Sequence, residues 1–91
     1  LVAPKLEFEQ AAAHYGKVSN GLAIRFIEAV HELLAKVLES PERWPVFELD
    51  TRRALLSIFP YSIIYRHDDS VLRVMAIMHQ RRRPGYWERR Q

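Results

Sequence analysis

The strongest structural signal in this chain lies in residues 19–41, SNGLAIRFIEAVHELLAKVLESP. Apolar side chains recur there every three or four residues, which is the spacing of one face of an α-helix. The opening Ser-Asn-Gly supplies a capping and turn cluster, and the closing Ser-Pro ends the helix because the residue before a proline avoids the α region. We therefore predict a long helix whose apolar stripe, including Phe26, Val30 and Leu34, is buried against a sheet.

A shorter helix precedes this segment. Pro4 stands where proline is tolerated, in the first turn of a helix, and Phe8 and Tyr15 lie on one helical face with alanines between them. Gly16 ends the pattern, so the two helices are predicted to form an antiparallel hairpin. Leu1-Val2-Ala3 is interpreted as the end of a strand. Because the chain begins with Leu rather than Met, we expect its natural start to lie upstream.

Three β-rich runs follow, at residues 52–59, 61–67 and 71–78. The connections between them are too short for parallel crossovers, so the strands are predicted to form an antiparallel meander. The last run is almost wholly apolar, which is typical of a central strand. The predicted fold class is α+β: a single domain over residues 1–91, in which an N-terminal helical hairpin packs on an antiparallel β-meander sheet and a short basic C-terminal tail follows.

The positive charge of the chain is concentrated in this tail. Residues 81–91 hold five arginines and one glutamate, a local charge of +4, whereas the other 80 residues hold nine basic and ten acidic side chains, or −1. This asymmetry indicates an anionic partner, either nucleic acid or an acidic protein, or else a tail that serves only solubility. The aromatic residues Tyr86 and Trp87 suit base stacking or a protein interface, and Trp87 also suits folding back as a hydrophobic plug.

Standard catalytic and metal-binding motifs are absent from the sequence. It has no paired Cys or His at metal-ligand spacing, no glycine-rich phosphate loop and no nucleophile motif, so no metal site and no cofactor are expected. His79 ends the apolar strand and leads into the tail arginines. It is placed either to move a proton while the arginines hold a phosphate, or to fix the tail by a structural hydrogen bond. The lack of cysteine, of a leader and of a long apolar stretch favours a soluble cytoplasmic protein with no membrane partner.

Three segments resemble successive signatures of the RelE/ParE superfamily of bacterial toxins: residues 40–45 (SPERWP), 59–66 (FPYSIIYR) and 79–87 (HQRRRPGYW). Their order and spacing match, and the resemblance spans about Pro4 to Arg90. It implies the same fold and a growth-inhibiting toxin of a type II toxin–antitoxin (plasmid stabilisation) system. It also implies a cognate antitoxin that docks on the helical hairpin and the sheet edge. Without that partner the chain is expected to self-associate as a homodimer.

The resemblance also bears on the cellular target. RelE-like members cut mRNA on the ribosome with basic residues on the sheet and, in many, a tyrosine near the C-terminus. Here Ser62 follows Tyr61 where an arginine is common, and Trp87 stands at the aromatic position, where an indole cannot donate a proton as a phenol does. ParE-like members also lack a full nuclease set and poison DNA gyrase by binding. The resemblance therefore favours a toxin that binds its target, with gyrase the leading candidate.

The site residues that the resemblance implies lie in the tail and on the middle strand. The expected target-binding residues are Arg81, Arg82, Arg83, Tyr86, Trp87, Tyr61 and Arg66. One alternative is a metal-independent endoribonuclease that acts on mRNA at the ribosome, with His79, Arg81, Arg83 and Tyr86 as its catalytic residues. The other is a non-toxic, nucleic-acid-binding relic that keeps the fold alone. Growth arrest that a neighbouring gene relieves distinguishes a toxin from such a relic.

Overall fold

A computed structural model describes residues 3–89, with the side chain of Arg89 excepted. The predicted strand end at Leu1-Val2 and the charge of Arg90 lie outside the described residues. The described part contains two α-helices, two short 3₁₀ turns and a three-stranded sheet. In chain order the elements are α1 (Pro4–Gly16), α2 (Asn20–Glu39), a turn at Pro41–Arg43, β1 (Arg52–Leu55), β2 (Tyr61–Asp68), β3 (Val71–His79) and a turn at Tyr86–Arg89. The α+β fold class, with the helices before the sheet and packed on it, is confirmed.

Both helices begin where the sequence predicts. Pro4 occupies the first turn of α1. At the start of α2 the hydroxyl of Ser19 accepts a hydrogen bond from the backbone N–H of Leu22 at 3.0 Å, which satisfies one of the unpaired donors of a helix N-terminus. Since α2 ends at Glu39, just ahead of the Ser-Pro pair, the predicted stop is confirmed as well.

The buried face of α2 follows a spacing of four, three and four residues. It consists of Phe26, Val30, Leu33 and Val37. Burial is therefore confirmed for Phe26 and Val30, which are 0% and 5% exposed. Leu34 is only half-buried, because it lies beside this row rather than in it.

The sheet is antiparallel, as predicted, with the strand order β1-β2-β3. The prediction that residues 71–78 form a central strand is wrong, because β2 is central and β3 lies at an edge. The apolar composition of β3 has another cause, which is that both faces of this strand are covered. Ile77 belongs to the cluster beneath the helices, whereas Met78 belongs to a second cluster around Trp87.

A β-bulge in β3 enlarges that second cluster. Ile64 pairs with Ala76 and Tyr65 pairs with Val74, so Met75 is an extra residue in β3. The alternation of side chains shifts at this point, and Met75 and Ala76 both pack in the cluster around the tail. The bulge thus increases the apolar area that the tail covers.

The first strand is shorter than predicted, since it ends at Leu55 rather than at Phe59. The N–H of Leu56 donates to the carbonyl of Tyr61 at 3.0 Å, which draws the chain into the turn toward β2. Phe59 then packs edge-to-face against the ring of Phe26, with the centroids 5.3 Å apart. Burial of this aromatic side chain therefore replaces the last residues of the predicted strand.

Substitution of Val30 by aspartate is expected to unfold the protein. An unpaired charge at this buried position destabilises by about 3–5 kcal/mol, which is most of the stability of a small domain. Ala35, which is exposed on the same helix, provides the control, because Ala35→Asp loses only about 0.5–0.7 kcal/mol of helix propensity. Thermal unfolding followed by circular dichroism compares the two. A cooperative melt of Val30→Asp close to that of the parent contradicts the placement of the stripe.

Candidate functional site

The tail folds back over the sheet face that the helices leave open. Trp87 is 0% exposed and packs with Ile64 and Met78, and its ring stacks on Phe47 at a centroid distance of 6.0 Å. Of the three roles that the sequence left open for Trp87, the structure gives it the hydrophobic plug. Trp87 is one of the expected target-binding residues, and in this structure its side chain is buried.

A tight turn before Trp87 directs the tail onto the sheet. Gly85 has a φ of 94°, a conformation that side-chain-bearing residues rarely adopt. The N–H of Glu88 donates to the carbonyl of Gly85 at 3.1 Å and closes the turn. The glycine is therefore required by the backbone path that brings the indole to the sheet.

A buried carboxylate joins the tail to the first helix. Glu7, 8% exposed, accepts one hydrogen bond from the backbone N–H of Ile77 at 3.1 Å and another from the phenol of Tyr86 at 2.7 Å. Hydrogen bonds of this charge-assisted kind are what a buried carboxylate requires. Sequence reasoning missed Glu7. The sequence feature that could have identified Glu7 as a buried residue is its position four residues before Ala11, on the apolar face of α1.

Tyr86 is also held through its ring. The guanidinium carbon of Arg82 lies 3.8 Å from the centroid of that ring, a cation–π contact. Arg82 remains exposed while making this contact. Two residues that the sequence assigned to target binding thus form one unit, which Glu7 fixes to the helix.

His79 has a defined ring orientation at the end of β3. Its Nδ1 accepts a hydrogen bond from the backbone N–H of Arg81 at 3.0 Å, so the neutral ring carries its proton on Nε2. The ring of Tyr61 meets the imidazole edge-to-face at 5.0 Å. One of the two roles that the sequence suggested for His79 was a hydrogen bond that fixes the tail, and this hydrogen bond is present. The Nε2–H group remains as a donor.

These side chains line an open cleft of about 430 Å³ between α1, the end of β3 and the tail. Tyr15, which sequence reasoning placed only on the apolar face of α1, contributes to it as well. Burial raises the pKa of Tyr61, and burial together with the neighbouring Tyr61 raises the pKa of Tyr15. Both phenols therefore stay protonated at neutral pH and can donate hydrogen bonds.

Arg66 does not join this cleft. It lies five residues beyond Tyr61 along β2, a separation of about 17 Å in a strand. Its Nη2 donates to the carbonyl of Leu49 at 2.8 Å, and it is paired with Arg73 across the sheet. The structure thus brings Tyr61 together with the tail residues and leaves Arg66 at the other end of the sheet.

The three remaining positions that the sequence singled out, Arg81, Arg83 and Ser62, differ in their exposure to solvent. Arg81 and Arg83 are exposed. Ser62 is 1% exposed, it pairs with Met78 in the sheet, and its hydroxyl has no hydrogen-bond partner among the described residues. Solvent and large ligands therefore reach the two arginines but not the serine.

Within residues 3–89, no helix is long and apolar enough to cross a membrane. The same residues contain no group of three or more His, Cys, Asp or Glu side chains placed to hold a metal ion.

Residues 7–84 match the family model described as the ParE toxin of the type II toxin–antitoxin system parDE. The matched segment begins at the buried Glu7 and includes most of α1, all of α2 and the sheet, and the arginines up to Arg83, but it ends before Tyr86 and Trp87. Comparison with curated proteins and with solved structures found no match in either case.

Truncation of Trp87 is expected to act on stability. Trp87→Ala leaves a cavity and uncovers the second sheet face, so the free energy of unfolding should fall by about 3–5 kcal/mol. Arg83→Ala, at an exposed position of the same tail, should change it by less than about 0.5 kcal/mol. Urea unfolding measures both values. Equal stability of Trp87→Ala and the parent would show that the indole does not cover the sheet in solution.

Proposed function

The chain belongs to the ParE toxin family of type II toxin–antitoxin systems, and on that basis we propose that it arrests growth by binding a cytoplasmic target, with DNA gyrase the leading candidate. One observation carries this proposal: the two positions at which RelE-like nucleases hold catalytic groups are buried. Ser62 is covered in the sheet and Trp87 lies in the core. Position 62 therefore offers no accessible ligand for a phosphate, and position 87 offers no phenol. This favours a toxin that binds its target over one that cleaves RNA.

The tail presents its charge from a fixed support. Trp87 packs on the sheet and Tyr86 bonds to Glu7, while Arg81 and Arg83 remain exposed. A surface that is ordered before it binds loses less conformational entropy on association. A concentrated positive patch also attracts an acidic protein surface at long range. We therefore assign these two arginines to the contact with the target.

Membership of a toxin–antitoxin family implies an antitoxin partner. We place its docking surface at the apolar groove of about 210 Å³ between the two helices and the edge of β3, where Phe8, Leu34 and Val74 are accessible. An amphipathic segment suits such a groove because it buries one apolar face and leaves the other in water. Without an antitoxin, the same groove favours association of two copies of this chain.

Removal of the two exposed arginines is expected to weaken the toxin without unfolding it. Arg81→Ala/Arg83→Ala should reduce growth arrest and inhibition of gyrase supercoiling roughly three- to tenfold, because an exposed charge contributes about 0.2–1 kcal/mol to a pairing. Arg25→Ala, which removes an exposed charge from α2, is the matched control and should act like the parent. Unchanged gyrase inhibition by the double variant would contradict the assignment.

A ribosome-dependent mRNA cleavage assay on the same proteins separates the alternatives. The proposal predicts no cleavage by the parent chain. Cleavage that is lost in Arg81→Ala or Tyr86→Phe would instead establish the endoribonuclease. A parent chain that neither arrests growth nor inhibits gyrase would favour the non-toxic relic.

A further inference from the structure

The cleft at the end of β3 has no role in the target binding proposed above, which rests on Arg81 and Arg83. Neither of those arginines lines it. We propose that the cleft binds the phosphate group of a nucleotide, through donors supplied by Tyr15, Tyr61 and His79 and the charge of Arg82. This inference does not depend on the identity of the toxin's target.

The donors in the cleft are available to a ligand. Among the described residues no protein partner is found for the hydroxyls of Tyr15 and Tyr61. The Nδ1 of His79 is occupied by a backbone N–H, which leaves Nε2–H as the donor of that ring. Arg82 contacts the ring of Tyr86 with its guanidinium carbon 3.8 Å from the ring centroid, and a guanidinium carries five N–H donors.

The one carboxylate among the described residues of the cleft is hydrogen-bonded within the protein. Of the described residues that line it, Glu7 carries a carboxylate, and both carboxylate oxygens accept hydrogen bonds within the protein, from Ile77 and Tyr86. Gln10 and His14, which also line the cleft, add no negative charge. The charges of Glu7 and Arg82 offset each other, and the hydrogen-bonding groups left for a ligand are mainly donors, which suit a ligand rich in acceptor oxygens.

A phosphate monoester fits this set of groups. It carries three strong acceptor oxygens and a charge of about −1.5 to −2 at neutral pH, so it requires several donors and a cation in one place. The donors come from α1, β2, the end of β3 and the tail, and thus surround a space instead of lying along one element. A cleft of about 430 Å³ is within the usual range for small-molecule sites, about 300–1,000 Å³, and leaves room for the rest of a nucleotide.

Titration of the full chain by NMR tests the proposal. Inorganic phosphate and AMP are expected to produce saturable shifts at the amides of His79 and Arg82, whereas adenosine, which lacks the phosphate, is expected to produce none. Tyr15→Phe/Tyr61→Phe keeps both rings and removes only the hydroxyls, and it should weaken AMP binding roughly tenfold, as should Arg82→Gln.

Arg81→Gln is the matched control, because it removes the same charge from the same tail outside the cleft. It should change the affinity for AMP less than about threefold.

A 5′-phosphorylated oligonucleotide distinguishes two kinds of nucleotide ligand. If this oligonucleotide binds as tightly as AMP, the ligand is the phosphorylated end of a nucleic-acid strand. If it does not bind, the ligand is a free nucleotide. Absence of saturable shifts at about 10 mM phosphate or AMP overturns the proposal, since specific sites bind more tightly than that. Equal weakening by Arg81→Gln and Arg82→Gln also overturns it, because that result marks non-specific charge attraction.

Discussion

A buried carboxylate determines how the C-terminal part of this protein is arranged. Glu7 accepts hydrogen bonds from the edge strand, through Ile77, and from the tail, through Tyr86. Removal of this carboxylate would leave the backbone N–H of the buried Ile77 without its acceptor, at a cost of about 1–3 kcal/mol, and would release the phenol of Tyr86 to the open cleft. These two bonds join the tail to α1 and to the edge strand, and they act together with the packing of Trp87 to fix the tail.

The second constraint is that the sheet has two apolar faces. The helices cover one, and Trp87 with Phe47 covers the other. A chain of 91 residues buries only about 60–65% of its unfolded surface, so an uncovered sheet face would remove much of a small margin of stability. Structure and function are thus combined in one segment: the buried side of the tail completes the core, and its exposed side carries the charge that we assign to binding.

Local patterns in the sequence predict the helices and the meander well, because periodicity and the cap at Ser19 are properties of neighbouring residues. These local patterns do not predict contacts between segments that are far apart in the chain. An edge strand covered on both faces has the same apolar composition as a central strand, so β3 was misplaced in the sheet. Trp87 looks like an interface residue until the face beneath it is known. Glu7 could not be assigned because its partners lie 70 and 79 residues away in the chain.

A double-mutant cycle in urea unfolding measures whether the carboxylate of Glu7 holds the tail through Tyr86. Glu7→Gln, Tyr86→Phe and the double variant give the coupling free energy between the two side chains. We expect a coupling of about 1.5–3 kcal/mol, the range for a hydrogen bond to a charged group. We expect none between Tyr86→Phe and Glu9→Gln, at an exposed position of the same helix. Additive effects of Glu7→Gln and Tyr86→Phe, within about 0.5 kcal/mol, would contradict that role of Glu7.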